Sequence, residues 1–199
     1  MKIIPSILAI LFLFSAGQVT SSAQNTNTAT VEPLLVSKAL QDEDCRHWVD
    51  SVMNKLSFKE KVGQLFIYTI ASIDTKRNLE LLHEAVETHK VGGLLFSGGK
   101  MQTQVELTNR AQKQAKVPVM ITFDGEWGLA MRLRGTPVFP RNMVLGCIRD
   151  NQLIYEYGSE VARQCRQIGV QVNFAPVADV NINPKNPVIN TRSFGEDPV

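Results

Sequence analysis

Three carboxylates and two guanidinium groups stand where this chain could do chemistry. Asp124 and Glu126 flank Gly125 in an Asp-Gly-Glu-Trp-Gly stretch. Asp179 closes Pro-Val-Ala-Asp. Arg132 follows the first stretch and Arg192 the second. A carboxylate accepts two neighbouring O–H bonds and an arginine donates a fixed fork, so the set suits a ligand dense in hydroxyl groups. Trp127 offers a ring face on which such a ligand could stack. Each residue also has a plainer reading. Asp124-Gly125 is a common turn pair, and Trp127 fits loop packing. Asp179 fits a partner to an arginine. For Glu126 the structural reading is preferred: a carboxylate paired with an arginine to hold its loop.

The elements decide where these residues stand. Trp48, Val52 and Leu56 recur at four-residue steps, which predicts a helix over 42–56. Ser57 followed by Glu60 fits a capping box. The apolar run 62–70 predicts a strand, 76–89 a helix with Leu79, Leu82 and Val86 on one face, and 91–96 a strand closed by Ser97-Gly98-Gly99. A helix over 102–115, with Val105 and Leu107 as apolar anchors, leads to a buried strand over 117–123. A long helix over 151–168 stops at Gly169, and a strand over 170–177 follows. Continuous apolar strands separated by helices argue for an α/β fold with a parallel sheet. In such folds ligands sit outside the carboxyl ends of the strands, which puts Asp124, Glu126 and Asp179 on the functional rim.

An open doubly wound sheet and a (β/α)8 barrel both fit this alternation. The chain falls short of the about 250 residues of a typical barrel. It closes on Gly-Glu-Asp-Pro-Val, in a loop after a strand with no helix to follow. The expectation is therefore the first half of a TIM-type (β/α)8 barrel, incomplete at the C-terminus, spanning 41–199. Ahead of it, Lys2, the short apolar run 3–14 and Ser21-Ser22-Ala23 read as a signal peptide over 1–23. The run is too short for a spanning helix, so no stable membrane anchor is expected after cleavage. Residues 24–40 read as a tether, and the destination is secreted or periplasmic.

Composition excludes several classes. The 199 residues are 44% hydrophobic with a formal charge of +2, which argues against disorder and against an electrostatic nucleic-acid binder. Cys45, Cys147 and Cys165 are too few and scattered for a disulfide framework or a zinc site. His47, His83 and His89 all fall in helices ahead of the third strand and read as surface residues. Arg163 and Arg166 read as the solvated face of the long helix. G-x-G-x-x-G, Walker, H-E-x-x-H and EF-hand spacings are absent, so no cofactor and no metal are expected.

Four blocks together resemble a known family. Residues 117–128, with Arg132-Leu133 and Phe139-Pro140, are similar to the D-x-E-x-G…R…FP block of family 3 glycoside hydrolases. Asn173-Phe174-Ala175-Pro176-Val177-Ala178-Asp179 is similar to its second block and Arg192-Ser193-Phe194-Gly195-Glu196-Asp197-Pro198 to its third. Lys61-Val62-Gly63-Gln64-Leu65-Phe66 and Gly92-Gly93-Leu94-Leu95-Phe96 resemble the barrel's start. The Arg-Ser-Phe and Gly-Gly-Leu-Leu-Phe forms are most similar to the β-N-acetylglucosaminidase branch.

The resemblance implies a TIM-type barrel and a retaining exo-glycosidase that releases terminal non-reducing β-linked N-acetylhexosamine. The substrate class it implies is an oligosaccharide or a peptidoglycan-derived sugar. It further implies that Asp124, Arg132 and Arg192 bind the terminal sugar. In this branch the proton-transfer group is a histidine beside a K-H-F-P-G-H-G block and the nucleophile an aspartate at a later strand end. Neither block is in this sequence, so no catalytic residue is expected here and the fragment itself is expected to be inactive. The alternatives are a β-glucosidase or β-xylosidase of the same family, or a non-catalytic carbohydrate-binding protein.

Overall fold

The computed structural model describes residues 41–198. The expected signal peptide at 1–23 and tether at 24–40 lie outside them. Helix α1 (Glu43–Lys55) starts at Asp42, whose side chain accepts from the Cys45 amide, with Glu43 and Asp44 in its first turn and Lys55 in its last. All three charges complement the helix dipole. No residue of α1 is buried. Trp48 is half-exposed, so of the expected stripe only Leu56, just past the helix, enters the interior.

Ser57 and Glu60 form the capping box, with both reciprocal bonds made, and start α2 (Phe58–Gly63). The strand expected over 62–70 is corrected here. Val62 and Gly63 complete the capped helix, and β1 is Ile67–Ser72. Tight packing holds this turn, because a Cβ on Gly63 would lie 2.1 Å from the His89 carbonyl oxygen. Helix α3 (Lys76–His83) is capped by Thr75 and runs on into a π-helical turn, Glu84–Thr88.

Strand β2 (Gly93–Lys100) does not stop at Phe96. It continues through Ser97-Gly98-Gly99 to pair with a later short strand, Leu133–Arg134. Glycine permits this: Gly99 has φ +138, and a Cβ there would meet the Ser72 carbonyl oxygen at 2.0 Å. Helix α4 (Met101–Gln114) leads to β3 (Met120–Phe123). A 3-10 turn (Leu129–Met131), β4 (Leu133–Arg134) and a one-turn helix α5 (Asn142–Leu145) follow. Helix α6 (Asn151–Gln167) starts at Asp150 and ends ahead of Gly169 at φ +76. Strand β5 is only Val172–Asn173, and the described residues after it are loop with a 3-10 turn at Asn190–Arg192.

Every strand pair is parallel, and the order is β1-β2-β3-β5, with β4 on the far end of β2. Neighbours in space follow the order of the chain. A doubly wound sheet would reverse direction at a switch point. A sheet wound one way, with right-handed crossovers, keeps its helices on one side and is the wall of a TIM-type barrel. The burial pattern agrees. Ile70, Leu94, Phe96, Ile121 and Phe123 pack on Leu82, Val86, Leu107, Ala111, Val161 and Cys165 of the helices. On the other face, Thr69 and Met120 are exposed and Leu95 is half-buried. Each large side chain in the covered layer contributes about 1.5–3 kcal/mol.

Candidate functional site

The loop leaving β3 is held from three sides. The Gly125 amide donates to Asn173 Oδ1 at 2.9 Å, and Asn173 Nδ2 donates back to the Gly125 carbonyl at 3.3 Å. Tyr157 donates its hydroxyl to the Glu126 carbonyl at 3.3 Å; burial pushes the Tyr157 pKa up, keeping it a donor. The Phe139 ring, edge-on to Tyr157 at 5.1 Å, closes over Gly128, where a Cβ would be 2.8 Å from it. This short loop is therefore rigid, and Asp124 at its start points from a fixed base.

Asp124 and Arg132 are hydrogen-bonded through Oδ2 and Nη2. Both remain about a third exposed, at 30% and 35%. Arg132 is set by the sheet: its carbonyl accepts from the Gly99 amide at 3.1 Å where β2 reaches β4. The extension of β2 past Phe96 is thus what places Arg132 beside Asp124. The pair presents a carboxylate and a guanidinium side by side at the carboxyl end of β3.

Glu126 is 2% exposed, and a buried carboxylate needs a charged partner. Arg192, 66 residues away, supplies it. Its Nε lies 3.0 Å from both Glu126 oxygens and its Nη2 2.6 Å from Oε1. The Glu126 hydrogen bonds raise the Arg192 pKa further above its ordinary value, and the charges of Glu126, Asp124 and Asp179 add to this. Glu126 holds its loop through an arginine, as the sequence reading preferred. Arg192 spends its fork on Glu126 rather than on Asp124, while 34% of its side chain stays exposed. Asp179 is exposed and enters the rim through its backbone, its carbonyl accepting from Ser193 Oγ at 2.7 Å.

The Trp127 ring carries the Arg141 guanidinium at 4.1 Å from its centroid. That face is occupied by a cation–π contact rather than open for stacking. His47, His83 and His89 are exposed, the last two beside Glu87 and Glu84 at 3.4 Å. Arg163 and Arg166 are exposed on α6, with Arg163 paired to Glu160. All three thiols are free. No cluster of three His, Cys, Asp or Glu among the described residues is placed to hold a metal. No helix among them is long and apolar enough to cross a membrane.

A cavity of about 370 Å³ opens behind the loop, between α6 and β5, lined by Glu126, Tyr157, Val161, Asn173 and Pro176. Asp124 and Arg132 do not line it, so the rim and not this cavity carries the candidate site. Sequence reasoning assigned no role to Asn173 or Tyr157. Asn173 sat inside a block already singled out, at a strand's carboxyl end, which was the signal for it. Tyr157 gave none, being one polar residue on a long helix.

Comparison with known proteins decides the family. Residues 57–199 match the model of the glycosyl hydrolase family 3 N terminal domain. The chain belongs to glycosyl hydrolase family 3. It is 36% identical over 130 residues to beta-hexosaminidase A of Pseudoalteromonas piscicida, covering 59% of this chain and 22% of that protein. It is 30% identical over 149 residues to beta-hexosaminidase LpqI of Mycobacterium tuberculosis, covering 72% of this chain and 36% of that one. Among solved structures, beta-glucoside phosphorylase BglX matches with a TM-score of 0.72 at 25% identity, over 79% of this chain and 28% of that one. The chain thus spans between about a fifth and a third of these family members' length.

Proposed function

We propose that the full-length protein is a retaining exo-glycosidase that releases terminal β-linked N-acetylhexosamine from oligosaccharides, including peptidoglycan-derived ones. In this reading Asp124, Arg132 and Arg192 bind the terminal sugar. The observation that carries it is the Asp124–Arg132 pair at the carboxyl end of β3, part-exposed on a rigid loop. Family membership supports the glycosidase class, and the hexosaminidase names of two family members support the sugar.

Retaining hydrolysis uses two groups about 5–5.5 Å apart, one a nucleophile and one a proton donor. Neither role is given to Asp124 or Glu126. Each already holds a guanidinium, Asp124 that of Arg132 and Glu126 that of Arg192, and Glu126 is buried as well, so neither presents a carboxyl free to attack or to pass a proton. The part-exposed Asp124 side chain suits acceptance of sugar O–H bonds, with Arg132 donating to a neighbouring oxygen. The nucleophile and the proton-transfer group are assigned to parts of the full-length protein beyond these 199 residues. The N-terminal pattern of Lys2 and the 3–14 apolar run supports export, with 1–23 as the signal peptide and 24–40 as the tether.

Kinetics of the full-length protein on aryl β-N-acetylglucosaminides and aryl β-glucosides test this. The N-acetyl substrate is expected to be preferred. Asp124→Asn should lower kcat/KM about a hundredfold, since it weakens two charge-assisted bonds, and the 199-residue chain alone should give no turnover. A glucoside preference would favour the β-glucosidase reading; the name of the beta-glucoside phosphorylase match supports the glucoside though not the hydrolysis. Sugar binding without any turnover would make it a carbohydrate-binding protein. Unchanged kinetics in Asp124→Asn would remove Asp124 from the site.

A further inference from the structure

We propose that Asn142 is a positioning residue for Arg192, resting on the reading above that Arg192 binds the sugar. Asn142 is fully buried at the first turn of α5. Its Nδ2 donates to the Arg192 carbonyl at 2.7 Å across 50 residues of sequence. Its Oδ1 has no partner among the described residues. A buried amide with one half unsatisfied is costly to keep. The half that is satisfied is the one that grips Arg192.

The same short helix grips the next residues too. The Asn142 carbonyl accepts from the Gly146 amide at 2.8 Å. A Cβ on Gly146 would lie 1.7 Å from the Phe194 carbonyl oxygen. Gly146 has φ −63, which any residue adopts, so packing alone calls for glycine there. One turn of helix thus docks both ends of the 192–194 segment. Around Arg192, the bonds of its amide to Ile189 and of its Nη1 to Val188 stay within the same loop after β5 and move with it. The Ser193 hydroxyl likewise bonds inside the loop, to Asp179 and Gly195. The bonds from Asn142 and to Glu126 tie the segment to the barrel wall. A guanidinium that must meet two oxygens at 3.0 Å tolerates little drift of its own backbone. Asn142 therefore acts on the sugar through Arg192 without touching it.

The test is a double-mutant cycle in the full-length protein with an aryl β-N-acetylglucosaminide, reading KM and kcat separately. Arg192→Lys keeps the charge but removes the fork, and should raise KM and lower kcat/KM by tenfold or more, on the order of one charge-assisted bond. Asn142→Ala should lower kcat/KM about tenfold, and the double variant should be no worse than Arg192→Lys alone. Asn142→Ser leaves room for a water to bridge to the Arg192 carbonyl. It should recover part of the loss, and it serves in place of Asn142→Ala should that variant fail to fold. Additive losses overturn the positioning role. So do wild-type kinetics in Asn142→Ala beside an impaired Arg192→Lys, or failure of both Asn142 variants to fold. Wild-type kinetics in Arg192→Lys itself would instead refute the sugar-binding reading of Arg192, and the proposal with it.

Discussion

Replacing Glu126 by glutamine isolates the pair that links the first rim loop to the last. The exchange keeps the shape of the side chain. It leaves alone the bonds made by the Glu126 backbone, whose amide donates to Met131 Sδ at 3.3 Å and whose carbonyl accepts from Tyr157. What changes is the contact with Arg192, now two bonds at 3.0 Å and one at 2.6 Å. Glutamine keeps one acceptor oxygen, and its amide turns N–H groups toward the N–H groups of the guanidinium. A hydrogen bond to a charged group contributes about 1.5–3 kcal/mol and a neutral one about 0.5–1.5 kcal/mol. The exchange therefore removes about 1–2 kcal/mol once the 34% exposure of Arg192 is allowed for. Calorimetry of the full-length protein should show the barrel transition lowered by about 2–8 °C, and kcat/KM should fall about tenfold as Arg192 loses its anchor. Glu80→Gln is the control, because the Arg77–Glu80 pair is 3.6 Å apart on the exposed face of α3 and should give no measurable change. A Glu126→Gln protein with unchanged melting and unchanged kinetics would refute the account of Glu126 as the buried anchor of this rim.

Two further outcomes follow from local geometry. Glu60 titrates at about 2 instead of 4.5, chiefly because the Ser57 amide bonds its ionised form, with Lys116 adding to this. A carboxyl whose folded pKa is depressed adds stability that is present above the unfolded value and lost as pH falls. Acid titration of stability between about pH 4.5 and pH 2 should therefore be shallower in Glu60→Gln, and an unchanged slope would count against the capping box as its source. Gly99→Ala should destabilise by about 1–3 kcal/mol in chemical denaturation, because its Cβ would meet the Ser72 carbonyl at 2.0 Å in a backbone conformation with φ +138. Wild-type stability in that variant would mean that β1 and β2 separate there freely.

The sequence by itself determined what acts over a few residues and what is common to all folds of its class. Ser57 and Glu60 meet within one turn, and Gly169 stops α6 by its own φ. The alternation of strands and helices made the sheet parallel, and that alone put Asp124 on the rim, since every such strand ends on the same side. Tertiary structure decided the rest. The apolar run 62–70 carries no period that separates a capped helix end from a strand, and only packing of Gly63 against His89 divides it at that point. Ser97-Gly98-Gly99 reads as a strand end until β4 arrives to pair with it. No local pattern shows the winding of the sheet, so the barrel expected from the family resemblance is borne out only when neighbours in space prove to follow chain order. The partners of the site are the least legible of all. Glu126 finds Arg192 across 66 residues, Gly125 finds Asn173 across 48, and Asn142 finds Arg192 across 50. Nothing in a local pattern encodes such pairs, because a buried polar group is indifferent to where in the chain its partner lies and is satisfied by whichever group the fold brings within 3 Å.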